Sequence, residues 1–119
     1  MVSERGEFIG GAICPGVKLT TEALVSGTAK LPRVEIVRPE SVVGRNTVSN
    51  MQSGIFYGYV GQVNHIVGKI KQELRRPDMR VVATGGMARL IASDTDAIDI
   101  LDGLLTLKGL RIIYERNCA

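Results

Sequence analysis

The feature that most constrains the fold of this chain is one amphipathic stretch between Gly44 and Leu74. Its apolar residues recur three or four positions apart, which is the period of a helix: Val48, Met51, Ile55, Tyr59, Ile66, Ile70 and Leu74. A second stripe lies beside the first and consists of Phe56, Val60, Val63 and Val67. The spacing predicts a single helix of about 28 residues and roughly 40 Å. Thr47 or Asn46 is expected to cap its start.

Four glycines interrupt this helix, at positions 54, 58, 61 and 68. Each one costs about 1 kcal/mol relative to alanine in a helix interior, and close packing against another backbone would explain them. A helix that is apolar over so wide an arc must be covered on two sides. We expect one side to pack on the chain's own sheet and another to meet a second subunit. The alternative is a core helix covered on both sides within one subunit.

The segments on either side of the long helix predict a mixed α/β chain with few strands. The expected elements are a strand over Glu7–Ile13, a helix over Leu19–Thr28 capped by Thr20 or Thr21, a short extended segment Val34–Val37, a buried strand Met79–Thr84, a helix Met87–Ala92, a short extended piece Ile98–Ile100 in an acidic loop, and a helix Leu104–Glu115. Two or three strands do not make a well-covered sheet by themselves. The expected fold class is therefore α/β with an incomplete sheet and one long interface helix.

Composition and charge favour some partners over others. The net charge of +3 is spread along the chain and only 4% of residues are aromatic, so we expect no nucleic-acid partner. No apolar run approaches the length of a membrane span, and no secretory leader is recognisable, so a cytoplasmic protein without a membrane partner is expected. Cys14 and Cys118 are expected to be free thiols in a reducing compartment, with a disulfide between them as the alternative.

Few residues suggest chemistry. His65 is the only histidine, and no serine–histidine pair stands out as a nucleophile with its base. The phosphate-binding patterns GxxxxGK[ST] and GxGxxG are absent. Carboxylates cluster only between Asp94 and Asp102, where a solvated acidic loop is favoured over a magnesium site. Gly85 and Gly86 join a strand to a helix, which makes either a turn where backbone approaches a ligand or a plain tight turn. The residues by themselves predict no catalytic group and no metal site.

Five stretches, taken together, resemble the C-terminal half of type III pantothenate kinases: GGAICPGVKLTTEAL, TAKLPRVEIVRP, VVGRNTVSNMQSGIFYGYVGQV, VVATGGMARLI and LTLKGLRIIYERN. The resemblance covers nearly all 119 residues in order. It implies a ribonuclease-H-like domain of the acetate and sugar kinase/actin superfamily, working as a homodimer. The implied activity is phosphorylation of pantothenate to 4'-phosphopantothenate with ATP, the first step of coenzyme A biosynthesis. The implied cofactors are ATP, magnesium and a monovalent cation, potassium or ammonium.

The sequence departs from that family in one large respect. The family's DxGN phosphate loop, its GxDR segment and its cation-binding aspartate are absent. Residues 1–119 are therefore expected to be a C-terminal domain without its phosphate-loop domain, inactive alone, with the cation ligands in the absent half. A regulatory protein related to transcription accessory factors of the same family, or a dimerisation domain without a ligand, are the alternatives.

The resemblance carries roles to only a few positions. Thr47 matches the threonine that contacts pantothenate across the dimer interface, a role compatible with capping the helix. Gly85 and Gly86 match the turn that faces the adenine side of the nucleotide cleft. The resemblance also covers a segment that shapes the floor of the cleft. The matching residues are not expected to touch ligand and are Gly10, Gly11, Pro15 and Gly16.

Overall fold

The computed structural model describes residues 1–118 and divides the chain into two compact units. The first unit is Met1–Arg33, and the second begins at Val34. The element order is α1 (Val17–Ser26), α2 (Thr47–Glu73), β1 (Val82–Ala83), α3 (Ala88–Ala92), β2 (Ile100–Leu101) and α4 (Leu105–Asn117). The mixed α/β class is confirmed, with a two-stranded parallel sheet as its only sheet among the described residues.

The first unit begins with a tight turn. Val2 and Phe8 form an isolated antiparallel bridge, and the Met1 ammonium group donates to the carbonyl oxygen of Gly10 at 2.7 Å. The predicted strand over Glu7–Ile13 is wrong beyond Phe8. Its backbone pairs only with Met1–Ser3, so a longer ladder has no partner in the described chain, and Ile13 is fully exposed.

Helix α1 begins at Val17, two residues before the predicted start, and ends at Ser26. Its N-cap residue is Gly16, which has no side chain to accept a hydrogen bond. The predicted caps Thr20 and Thr21 are wrong because both lie inside the helix. Thr21 instead donates from Oγ1 to the carbonyl oxygen of Val17 at 2.8 Å, a bond to the preceding turn.

In the second unit, α2 confirms the long helix. Five side chains in its N-terminal half are buried, namely Met51, Ser53, Ile55, Phe56 and Val60. Phe56 and Val60 form a core with Ile91 of α3, and further side chains pack around them, partly buried: Tyr57, Tyr59, Val63, Leu90 and Ile98. The main contact of α2 within this unit is therefore the short helix α3.

The sheet is smaller and more exposed than the sequence predicts. Of the predicted strand Met79–Thr84, only Val82–Ala83 forms a strand. It is not buried, since Val82 is 44% exposed. Its parallel partner β2 joins Val82 to Ile100 and Ala83 to Leu101 in register. The residues over Val34–Val37 form no strand. Two short strands bury little side-chain surface because neither face of the pair is covered by a large element.

Helix α4 follows β2 and confirms the predicted C-terminal helix to within two residues at its end. None of its residues is buried. Large apolar side chains along it are at least two-fifths exposed, namely Leu105, Leu107, Leu110, Ile112, Ile113 and Tyr114. An amphipathic helix with an uncovered apolar face is typical of an element that packs against further protein.

Candidate functional site

The first turn of α2 is built by a reciprocal cap. Asn46 accepts a hydrogen bond from the Ser49 N–H at 2.9 Å, while the Ser49 hydroxyl accepts from the Asn46 N–H at 3.1 Å. This capping box settles the predicted choice between two caps in favour of Asn46. Thr47 is therefore the first helical residue, and its exposed hydroxyl makes no hydrogen bond within residues 1–118. The hydroxyl is available to a ligand.

A polar groove opens beside this turn, with a volume of 720 Å³. One wall is the chain segment that leads into α2, and the other is the first turns of the helix. The lining residues are Val37, Arg38, Pro39, Glu40, Ser41, Val43, Gly44, Arg45, Ser49 and Gln52. The volume lies within the range of small-molecule sites.

Side chains of α2 hold the leading segment in place. Gln52 donates from Nε2 to the carbonyl oxygen of Glu35 at 3.0 Å, and the buried Ser53 hydroxyl donates to the carbonyl oxygen of Val42. At Gly44 the segment passes so close to α2 that an added Cβ would lie 2.5 Å from the Asn50 nitrogen. The groove is thus defined by specific contacts between its two walls.

The two arginines of the groove differ in whether they form an ion pair. The Arg38 guanidinium donates from Nη2 and Nε to the same Asp94 oxygen, at 2.6 and 2.9 Å. Hydrogen bonding to Asp94 and the attraction of its charge raise the pKa of Arg38 above its ordinary value. Arg45, which also lines the groove, forms no ion pair with any described residue.

Gly85 and Gly86 lie between β1 and α3, as predicted. Gly85 has φ +99°, a conformation that favours glycine, and its carbonyl oxygen accepts from the Ala88 N–H at 3.2 Å. An added Cβ at either position would meet no heavy atom within 4 Å. The turn is open, and within residues 1–118 no hydrogen bond or core contact joins it to Thr47. The structure therefore does not bring the two predicted ligand positions together by direct contact.

The acidic residues between Asp94 and Asp102 do not fit a magnesium site. Asp94 binds Arg38, Asp99 accepts from the Val81 N–H at 2.6 Å, and Asp102 accepts from Lys108 Nζ at 2.7 Å. Among residues 1–118, no three histidine, cysteine, aspartate or glutamate side chains lie close enough together to hold a metal ion.

Cys14 and Cys118 are both free thiols, and Cys118 is exposed. The predicted alternative of a disulfide between them is therefore not adopted. His65, on α2, is exposed as well. Within the part of the chain that the structure describes, no helix combines the length and apolar character that crossing a membrane requires.

Comparison with known families identifies the chain. The family model for type III pantothenate kinase matches residues 1–69, which is more than half of its length. The chain belongs to the type III pantothenate kinase family. Membership implies a kinase of coenzyme A biosynthesis that uses ATP and pantothenate. The match includes the groove segment, the capping box and Thr47, and it ends before Gly85.

Sequence reasoning missed the groove itself. It assigned no element or ligand to residues 39–43 and no role to Arg38, Gln52 or Ser53. A signal was present, since Pro39 and Gly44 fix the path of this loop and two arginines flank them. The hydrogen bonds that close the groove join residues 11 to 56 positions apart, however, and no local pattern reveals them.

Proposed function

We propose that this chain forms the pantothenate-binding C-terminal domain of a type III pantothenate kinase. The single observation that carries the proposal is the family match over residues 1–69, which contains the first turn of α2. At that turn the Thr47 hydroxyl has no partner in the described chain, and Arg45 and Ser49, which lie on either side of Thr47 in the sequence, line a groove of small-molecule size. The reaction is transfer of the γ-phosphoryl group of ATP to the primary hydroxyl of pantothenate.

Thr47 contacts pantothenate in this proposal. Because the capping box uses Asn46 and Ser49, the threonine hydroxyl is free to donate to a substrate oxygen. Pantothenate carries hydroxyl, amide and carboxylate groups, and a side-chain donor at a helix N-terminus suits such oxygen atoms. Arg45 supplies an unpaired positive charge two residues earlier.

The Gly85–Gly86 turn contacts the nucleotide in this proposal. Both positions have open space where a side chain would stand, so the backbone can approach a flat ring or a phosphate closely. The domain is of the ribonuclease-H-like type, and additional strands complete the sheet that β1 and β2 begin. The exposed apolar residues of α4 and of the strands support this completion, since they require a cover.

The chain works as part of a larger enzyme in this proposal. The phosphate loop, the general base, and the ligands for magnesium and the monovalent cation all belong to the N-terminal domain. Phosphoryl transfer depends on positioning and charge neutralisation, so a chain without those groups is inactive. Two copies associate through the open face of α2, which brings Thr47 of one subunit to the pantothenate of the other.

The proposal is tested by measuring ATP-dependent phosphorylation of pantothenate with two proteins. The enzyme that contains this chain together with a phosphate-loop domain is expected to form phosphopantothenate. The 119-residue chain alone is expected to show no turnover under the same conditions. Turnover by the isolated chain contradicts its assignment as an inactive domain, while an inactive complete enzyme contradicts the pantothenate kinase assignment.

A further inference from the structure

The ion pair between Arg38 and Asp94 joins two parts of the second unit that are distant in sequence. Arg38 lies in the groove wall that leads into α2, and Asp94 lies two residues after the end of α3. The two side chains are separated by 56 positions, and both guanidinium donors converge on one carboxylate oxygen. Of the described ion pairs, the others join residues at most 19 positions apart.

Asp94 is itself held in place by its own backbone. Its N–H donates to the carbonyl oxygen of Ile91 at 3.2 Å, at the end of α3. Ile91 is 3% exposed and belongs to the core with Phe56 and Val60. The carboxylate therefore projects from a fixed point, and its side chain is only 22% exposed, compared with 54% for Arg38.

The groove wall has no regular secondary structure between residues 34 and 46, so side chains must fix its path. Gln52 holds its beginning at Glu35, and Ser53 holds its end at Val42. Asp94 holds its middle through Arg38, beside the buried Pro39. The first two anchors come from α2, whereas the third comes from the segment that follows α3.

We propose that Asp94 is a positioning residue for the substrate groove, acting through Arg38. It fixes the wall that faces Ser49 and Gln52 of α2 and so sets the width of the groove. This inference rests on the proposed function, since it deepens the assignment of that groove to pantothenate. Asp94 touches no substrate, and its effect falls on substrate binding and not on the chemical step.

The test uses the complete enzyme that contains this chain and four variants. Asp94→Asn and Arg38→Met remove the ion pair, while Arg38→Lys keeps a cation opposite Asp94. Asp78→Asn is the matched control, because it breaks an arginine–aspartate pair of 3.0 Å that joins residues only two positions apart. Steady-state kinetics gives the KM of each substrate and kcat.

Asp94→Asn and Arg38→Met are expected to raise the KM for pantothenate about threefold to fivefold, the size expected for an exposed charge pair. The KM for ATP and kcat should remain at wild-type values. Arg38→Lys should restore most of the lost affinity, and Asp78→Asn should match wild type. In hydrogen exchange, amides over residues 34–45 should lose protection in Asp94→Asn and Arg38→Met but not in Asp78→Asn.

Three results would separate the possible failures. If Asp94→Asn binds pantothenate as wild type does, the positioning role is wrong while the proposed function stands. If it lowers kcat or raises both KM values equally, Asp94 has a general structural role and the proposal is overturned. If the wild-type enzyme does not phosphorylate pantothenate at all, the proposed function fails, and the assignment of this groove fails with it.

Discussion

Asn46 and Thr47 are neighbours in sequence, yet the structure gives them different roles, and this difference can be measured. Asn46 caps α2, whereas Thr47 offers an unused hydroxyl. In the complete enzyme, Thr47→Val should raise the KM for pantothenate by roughly one to two decades, because an unmade hydrogen bond to a polar group costs about 1–3 kcal/mol. The KM for ATP and the melting temperature should change little.

Asn46→Ala is the matched control for that prediction. Loss of the cap should lower the free energy of unfolding by about 1 kcal/mol. Thermal unfolding followed by circular dichroism compares the two variants. If Thr47→Val lowers the melting temperature as much as Asn46→Ala and leaves both KM values unchanged, Thr47 has a structural role and is no substrate ligand.

The two glycines of the β1–α3 turn also differ in a testable way. Gly85 has φ +99°, whereas no positive φ occurs at Gly86. Gly85→Ala should therefore lower the free energy of unfolding by about 1–3 kcal/mol through backbone strain. Gly86→Ala meets open space and should leave the stability near wild type. Urea unfolding at neutral pH measures both. Equal losses at the two positions would show that strain at Gly85 is not the cause.

At the residue scale, the sequence predicted which kinds of side chain take a role better than it predicted which two residues bind each other. Asn46 and Thr47 were the predicted cap candidates because short polar side chains are preferred at this position, and only Asn46 is the cap. Which of the two accepts the Ser49 N–H depends on the backbone of residues 44–46, where Gly44 passes close to Asn50. Arg38 and Asp94 could not be paired from sequence, since only the packing of α3 on α2 brings them together.

Among the elements, the helices were predicted well and the strands were not. The periodicity of α2 extends over many turns, and a long regular pattern determines an element even where its glycines weaken it. The predicted strands were too long because a strand forms only where a neighbouring strand pairs with it. Residues 9–13 have no strand beside them within the described chain, and the pairing of β1 with β2 extends back only to Val81, whose carbonyl oxygen accepts from the Ile100 N–H at 3.0 Å. A strand's length is decided by its partner as much as by its own residues.

The start of α4 depends on one carboxylate. Asp102 accepts from Lys108 Nζ at 2.7 Å and from the Leu104 N–H at 3.0 Å. The bond from Lys108 first, and then that from Leu104, lower the pKa of Asp102 below its ordinary value of 3.8. A carboxylate whose pKa is lower in the folded state stabilises that state above its unfolded pKa. This stabilisation disappears as the pH falls through the folded pKa.

Acid unfolding tests this role of Asp102. Between pH 7 and pH 2, the wild-type chain should lose stability below about pH 4, and Asp102→Asn should lose less over the same range because it has no proton to gain. Lys108→Gln should reduce the pH dependence in the same direction. Urea unfolding at several pH values gives the slopes. Identical slopes for wild type and Asp102→Asn would contradict a contribution from this carboxylate.

At the scale of the whole molecule, the uncovered surfaces lie on different elements. Helix α4 exposes apolar side chains along its length, and β1 and β2 expose Val82, Ile100 and Leu101. Helix α2 buries one face on α3 and leaves its four glycines open. In the proposed enzyme, additional strands cover the sheet and α4, while a second copy covers the glycine face of α2. The sequence predicted that α2 packs on the chain's own sheet on one side and on a second subunit on another. In the structure the buried side of α2 packs on α3 instead of the sheet.

Whether a second copy of the chain covers the glycine face of α2 can be tested with one substitution. At Gly58 an added Cβ would meet no heavy atom within 4 Å, so a leucine fits the single subunit and interferes only with a neighbour. Gly109 on α4 has the same open surroundings, which makes Gly109→Leu the matched control.

We expect the 119-residue chain to sediment as a dimer at micromolar concentration and Gly58→Leu to sediment as a monomer with unchanged helix content by circular dichroism. Gly109→Leu should remain a dimer. A monomeric wild-type chain, or a Gly58→Leu variant that dimerises as tightly as wild type, would show that the glycine face of α2 is not the interface.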